Sequence, residues 1–474
     1  MSNRYNFFAG GGWYESAQTI EVTNPYNNDV IGVVYEGSES DLKGCLDKAE
    51  EAFKETKKLS SYKKAEILEK ISNGIKERKE ELARSITLES GKPITSSRVE
   101  VDRAVNTFSL ASEESKRIYG EVIPLDLVMG SENRVGITRR FPVGIIVGIC
   151  PFNFPLNLVS HKIAPAIASG NPIIIKPASK TPVTALILAE IISGSGAVPG
   201  SVNIIPCNSR LIERILGDGR VKMLSFTGSA DVGWYLKGKA ARKKVVLELG
   251  GNAGVIIHSD ADIEYAAKRC MTGGFSYSGQ TCISVQNIYI HQDIYQRFAD
   301  IFIPMVKGLN MGDPLDENTD ISPLIDIASA KKTEEWVREA KESGAKVLTG
   351  GRREGLFFEP TVITDIIPDM KVRCKEIFAP VVNLIKYSRF EDAVSMMNDS
   401  VYGLQAGVFT KDIDRISYAY NELDVGGVLI NEVPTYRADH MPYGGIKESG
   451  FGREGIRYAI EEMTELKMMG INIG

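Results

Sequence analysis

Val143-Gly144-Ile145-Ile146-Val147-Gly148-Ile149-Cys150 is apolar on both faces of any strand it forms. Such a strand must be covered on both sides, which is the condition of a parallel sheet lying between helices. The pattern repeats in short apolar runs at 172–175, 201–205, 222–226 and 245–249, each separated from the next by helical patterning. Strands alternating with helices in this way make a doubly wound, nucleotide-binding α/β unit. After Gly273 the alternation resumes, with strands expected at 288–291, 346–348, 381–386, 406–409 and 427–431 and a helix at 328–343. This is a second α/β unit. No Pro- or Ser-rich linker separates the two, so they are expected to share a continuous interface with the active site in the cleft between them.

Upstream, Leu42, Leu46, Ala49 and Phe53 recur at the spacing of one helix face, and residues 62–79 form a second helical pattern. Residues 133–141 alternate and are rich in Arg and Thr, as an exposed strand is. A chain of 474 residues exceeds one hydrophobic core, so two or three domains are expected. The net charge of −5 argues against a nucleic-acid partner, since the short basic runs Lys331-Lys332 and Arg242-Lys243-Lys244 sit among acids. Six Cys without a Cys-x-x-Cys pair make neither a disulfide framework nor a zinc site, and no metal is expected. Residues 1–13 lack the features of a signal peptide, and no apolar run approaches the roughly 18 residues of a membrane span. A cytoplasmic protein with reduced thiols is the expectation.

Chemistry-bearing residues cluster at strand ends. Phe226-Thr227-Gly228-Ser229, with Gly233 beyond, follows an apolar strand and opens a helix. Free N–H groups there suit a pyrophosphate, although a glycine turn of this kind serves structure as readily. In Phe275-Ser276-Tyr277-Ser278-Gly279-Gln280-Thr281-Cys282, a Gly- and Ser-rich loop delivers a Cys. A thiol so placed can face a cleft, whereas Cys inside an apolar run is usually an inert hydrophobe. Val246-Leu247-Glu248-Leu249 puts one carboxylate in an apolar strand, where it serves either as a general base with a raised pKa or as half of an internal ion pair. Pro151-Phe152-Asn153-Phe154-Pro155 offers an amide that either caps a turn or donates to an oxyanion. Lys176 closes another strand at the edge where ligands bind open α/β sheets.

Taken together these segments resemble the aldehyde dehydrogenase superfamily. The resemblance runs nearly end to end: Asn24-Pro25, Glu89-Ser90-Gly91-Lys92-Pro93, the Phe152-Asn153 segment, Lys176-Pro177, Phe226-Thr227-Gly228-Ser229, Leu247-Glu248-Leu249-Gly250-Gly251, Gly279-Gln280-x-Cys282, Glu359-Pro360-Thr361, Glu376-Ile377-Phe378 and Pro442-Tyr443-Gly444-Gly445, with Ser449-Gly450 and Gly452-Arg453-Glu454. It implies Cys282 as nucleophile, Glu248 as general base, and an oxyanion hole made by the Asn153 amide and the Cys282 N–H. It also implies NADP or NAD as cofactor, with Lys176 and Ser179 at the adenosine ribose, Gly228 and Ser229 at the pyrophosphate, Glu376 at the nicotinamide ribose, and Phe152 and Phe378 nearby. Aldehyde oxidation would then pass through a thiohemiacetal and a thioester that water hydrolyses.

The architecture so implied is a dinucleotide-binding domain from residues 1–120 and 142–248, a catalytic domain from 249–448, and a β-extension from 121–141 and 463–474. That extension would pair with a neighbouring subunit in a homodimer or homotetramer. Thr281 stands where relatives acting on phosphorylated aldehydes often carry Arg, which weakens such a substrate. Arg437, in the loop through which substrate would enter, and His161 are candidates for meeting an anion, the alternatives being a surface Arg and a satisfied core His. Thr281 and Tyr443 are further substrate-side candidates. Lactaldehyde, succinate semialdehyde and glyceraldehyde 3-phosphate all remain open as substrates. A CoA-acylating dehydrogenase would commonly lack the Glu base, and a non-catalytic protein with this fold would have lost the nucleophile or base; Cys282 and Glu248 stand against both.

Overall fold

A computed structural model describes residues 3–474. Its first large sheet orders eight strands as Gly450–Phe451, Lys244–Glu248, Val221–Thr227, Ile145–Ile149, Ile173–Lys176, Val202–Ile204, Phe7–Ala9 and Gly12–Tyr14. The five strands from Lys244–Glu248 to Val202–Ile204 are parallel, as runs without a polar face require. Ile145 and Val147 enter one hydrophobic cluster and Ile146 the cluster opposite, so both faces are buried. Each edge is closed by antiparallel strands, Gly450–Phe451 at one side and the N-terminal hairpin at the other.

The second sheet orders seven strands as Lys346–Thr349, Thr361–Thr364, Val381–Tyr387, Asn287–His291, Gly254–Ile257, Gln405–Phe409 and Gly427–Ile430. All are parallel except the edge strand Lys346–Thr349. Two strands of this sheet are not marked by the sequence. Gly254–Ile257 follows the first sheet's last parallel strand so closely that its apolar run merged with that unit, yet it forms the middle of the second sheet. Thr361–Thr364 is only four residues long. Residues 449–462, outside every unit expected from sequence, also belong with the first sheet: Gly450–Phe451 pairs there, and Ile456 and Ile460 of the following helix join its core.

A separate three-stranded sheet joins Thr464–Asn472, Arg134–Pro142 and Val122–Pro124. Leu466, Met468, Met469 and Ile473 are exposed along it, as are Val122 and Leu127. No helix among the described residues is long and apolar enough to cross a membrane.

Candidate active site

The first sheet meets the central cleft by the C-terminal ends of its strands. Glu248 is the last residue of Lys244–Glu248, Lys176 closes Ile173–Lys176, Gly228 follows Val221–Thr227, and Asn153 lies four residues beyond Ile149. The second sheet meets it by the opposite edge: Cys282 precedes Asn287–His291, and Glu376 and Phe378 precede Val381–Tyr387. Between the sheets runs Leu249-Gly250-Gly251. A Cβ on Gly250 would collide with the Glu376 carboxylate, and one on Gly251 would lie 2.9 Å from the Cys282 carbonyl oxygen. The two glycines therefore let the crossing strand pass between groups of the site.

Cys282 rides on a strained turn. Tyr277, Ser278 and Gly279 have φ of 49°, 53° and 71°, a left-handed run that costs on the order of 1–3 kcal/mol at each non-glycine residue. Specific bonds hold it: the Tyr277 hydroxyl donates to the Ser90 carbonyl at 3.0 Å, and the Ser278 hydroxyl donates to the Ser322 carbonyl at 2.7 Å and accepts from the Ser322 N–H at 2.9 Å. The turn leaves Cys282 partly exposed, whereas Cys45, Cys150, Cys207 and Cys270 are buried; Cys374, also partly exposed, ends the short helix Lys371–Cys374. Across the cleft the Asn153 Nδ2 donates to the Gln280 carbonyl at 2.9 Å, tying the amide to the loop that carries Cys282.

One cavity of ≈ 790 Å³ gathers Cys282, Glu248, Asn153, Phe152, Gly228, Ser229, Glu376, Phe378, Thr281, Tyr443 and Arg437. Both carboxylate oxygens of Glu248 are buried without a hydrogen bond. Burial, and then the charge of Glu454, push its pKa well above the usual carboxylate value. Glu454 itself also suffers burial, but Lys162 at 3.0 Å and Arg437 at 3.2 Å hold it ionised. Burial pushes the Cys282 thiol up to about 11, against its hydrogen bond with Tyr443. Glu376 accepts from the Gly251 N–H at 3.0 Å, and its pKa is pushed up to about 7 by burial. The rings of Phe152 and Phe378 meet edge to face at 6.0 Å.

Three sequence candidates lie away from this cavity's lining. Lys176 is buried at its strand end, with its Nζ donating to the Pro177 carbonyl at 3.2 Å; Ser179 and Lys180 are exposed in the following turn. His161 does not meet the cleft. Its Nε2 lies 2.9 Å from Asp439, which also pairs with Arg103 at 2.7 Å, and burial lowers its pKa, so it is a core histidine held through one ring nitrogen, its buried Nδ1 having no partner. Arg437 is not a surface residue. It is buried, paired with Glu454, and its guanidinium carbon lies 3.7 Å from the Tyr443 ring centroid.

The cavity adds residues that sequence reasoning missed. Arg103, from the helix Ile94–Ser115, lines it with a buried Nε that has no partner, as does the Nε of Arg437. Lys332 lines it from Ile327–Glu342, its pKa lowered by burial. Lys162 sits in the wholly buried helix Asn157–Ser169, where a lysine was itself a sign of a buried partner.

The family's sequence pattern, described as Aldehyde dehydrogenase family, matches residues 13–469. The chain belongs to the aldehyde dehydrogenase family. It is 43% identical over 470 residues to a lactaldehyde dehydrogenase of Methanococcus aeolicus, covering 98% of this chain and 99% of that one. Among solved structures it resembles aldehyde dehydrogenase 21 of Physcomitrella patens in complex with its reaction product succinate, at TM-score 0.98 and 44% identity, covering 100% of this chain and 99% of that one. It also resembles the glyceraldehyde-3-phosphate dehydrogenase of Methanocaldococcus jannaschii complexed with NADP, at TM-score 0.92 and 40% identity, covering 96% and 100%. The aldehyde dehydrogenase fold is thus shared along the whole length.

Proposed function

We infer that this aldehyde dehydrogenase oxidises a small aldehyde to its carboxylate through a thioester on Cys282, with NADP or NAD as oxidant. The observation that carries the reading is the Glu248 carboxylate, buried and unbonded in the same cavity as the partly exposed thiol and the Asn153 amide. A buried base without a partner is costly unless a substrate or water completes it. The Cys282 sulfur attacks the aldehyde carbon, and the Asn153 amide with the Cys282 N–H receives the developing alkoxide, each donor contributing ~3 kcal/mol. A nicotinamide dinucleotide, when bound, would supply the hydride acceptor. Glu248 then takes a proton from the water that hydrolyses the thioester.

The residues fit such a cofactor. Ser229 opens the helix Ala230–Ala240 without a side-chain cap, leaving first-turn N–H groups for phosphate oxygens. Glu376 would bind the nicotinamide ribose, with Phe152 and Phe378 flanking it. Lys176 and Ser179 would take the adenosine ribose. Ser179 and Lys180 present no carboxylate to repel a 2′-phosphate, so NADP should be accepted at least as well as NAD.

An aldehyde with an anionic tail suits Arg103 and Arg437, each with an unpartnered buried Nε on the cavity. A neutral 2-hydroxyaldehyde is the second reading, favoured by the buried, unpartnered Thr281 hydroxyl beside the nucleophile. Comparing kcat/KM for succinate semialdehyde and lactaldehyde, in wild type and Arg437→Gln, separates the two: a clearly larger loss for the anionic substrate supports the first. We assign cofactor binding to residues 1–120 and 142–248 and catalysis to 249–448. The apolar residues exposed on the 121–141 and 463–474 sheet favour pairing in a homodimer or homotetramer. Six free thiols suit a reducing compartment such as the cytoplasm. Cys282→Ala tests the mechanism: oxidation should vanish while NADP still binds, and substantial remaining turnover would overturn it.

A further inference from the structure

We propose that the Tyr443 hydroxyl is the donor that stabilises the Cys282 thiolate, with Arg437 against the Tyr443 ring strengthening that donor, so that Tyr443 is a catalytic residue. The proposal rests on the reading of Cys282 as nucleophile.

The geometry is specific. The Tyr443 oxygen lies 3.1 Å from Cys282 Sγ. Tyr443 is buried, and its backbone is fixed by two bonds with Glu454: its N–H donates to the Glu454 carbonyl at 3.0 Å, and the Glu454 N–H donates back at 2.7 Å. Arg437 bridges the same two residues, pairing with the Glu454 carboxylate at 3.2 Å while its guanidinium carbon lies 3.7 Å from the Tyr443 ring centroid. Glu454 thus holds both the phenol and the cation above it. A cation at an aromatic ring draws electron density from it and makes the phenol O–H a stronger donor.

The thiol needs such a donor. Reactive cysteines commonly gain acidity at helix N-termini, but Cys282 follows the C-terminus of the helix Ile263–Phe275 and the turn Ser276–Gly279. The charged groups around it are Glu376 and Glu248, which oppose a thiolate, and Arg437, which favours one. Tyr443 remains protonated because burial raises its own pKa far above neutrality. When the thiol proton leaves to solvent through the cleft, the negative sulfur accepts a charge-assisted bond from the phenol, stronger than any it makes as a neutral thiol.

The test follows alkylation of Cys282 by iodoacetamide in the full chain, located by peptide mass, between pH 7 and 9.5. Tyr443→Phe should react about tenfold more slowly at each pH, the equivalent of a thiol pKa raised by about one unit. Removing one oxygen can only widen access, so slowing is not steric. Arg437→Gln should slow the reaction in the same direction by less, and since iodoacetamide is neutral, loss of an anion-tail contact does not enter. Unchanged melting temperature shows that the fold is intact. A Tyr443→Phe protein alkylated as fast as wild type, or faster, overturns the proposal. If it does so while Cys282→Ala is inactive, the nucleophile assignment stands and the Tyr443 role falls; if Cys282→Ala remains active, the nucleophile assignment itself is lost.

Discussion

The two parallel sheets approach the cleft by opposite edges, and the chemistry divides between them accordingly. At the C-terminal edge of the first sheet a helix begins beside the strand end, and its free N–H groups at Ser229 create a place for negative charge. At the N-terminal edge of the second, the helix Ile263–Phe275 arrives with its C-terminus, and the turn that follows, not a helix N-terminus, places the Cys282 thiol. The first edge therefore needs little strain. The second stores it in Tyr277 and Ser278 and sets its thiol beside Tyr443, with Arg437 over the Tyr443 ring. The familiar rule that ligands bind the C-terminal edge of an open sheet describes one half of this site and not the other.

Asn153 is the residue that joins the edges, so its removal breaks the division most severely. Asn153→Ala should lower the rate of the hydride-forming step by about 10²–10³-fold, as loss of one oxyanion donor does elsewhere. Single-turnover formation of reduced cofactor measures it, and a loss below tenfold would show that the amide only braces the Gln280 carbonyl. The strained edge is probed next. Gly279→Ala forces a Cβ into the Ala379 carbonyl at a φ of 71°, and should destabilise the protein by about 2 kcal/mol or more in denaturant unfolding. A neutral outcome would mean that the turn relaxes freely. The smallest effect belongs to the unstrained edge: Ser179→Glu should raise KM for NADP about tenfold and leave NAD unchanged, solvent screening reducing the full repulsion at so exposed a position.

This asymmetry also explains what was legible in the sequence. The first sheet's strands announce themselves as continuous apolar runs, and Glu248 stands out because a carboxylate interrupts one of them. Cys282 was visible through its Gly- and Ser-rich loop. The fold itself was legible almost throughout, save strands too short to carry a period, such as Phe7–Ala9 and Thr361–Thr364, and Gly254–Ile257, whose sheet is decided by a chain crossing at Gly250-Gly251. The surroundings of the thiol were much less so. Arg103 lies on a helix whose sequence says that one face is buried but not what it faces, and Glu454 lies in a glycine-rich loop with no periodicity. His161 shows one reason: a polar side chain near a site motif can be engaged by a buried partner, here Asp439, that only the tertiary structure brings beside it, whereas Arg437, though paired with Glu454, keeps an unpartnered Nε on the cavity.

The unbonded carboxylate of Glu248 also makes a pH prediction. Its base form is lost as pH falls through a pKa that burial has raised, so thioester hydrolysis should fail well above the pH at which an ordinary glutamate protonates. The acid limb of kcat, with deacylation rate-limiting, measures this. A limb near the ordinary glutamate value of about 4.3 would place Glu248 in water instead of a dry cleft.

The covalent thioester on Cys282 is the account's central claim, and Glu248→Gln exposes it most directly. The variant is mixed with NADP and an excess of succinate semialdehyde, quenched in acid, and weighed intact. A burst of reduced cofactor near one equivalent per active site, with a mass gain equal to the acyl group located on the Cys282 peptide, is the expected result. A burst without an adduct would contradict the account, because oxidation would then have proceeded without the sulfur.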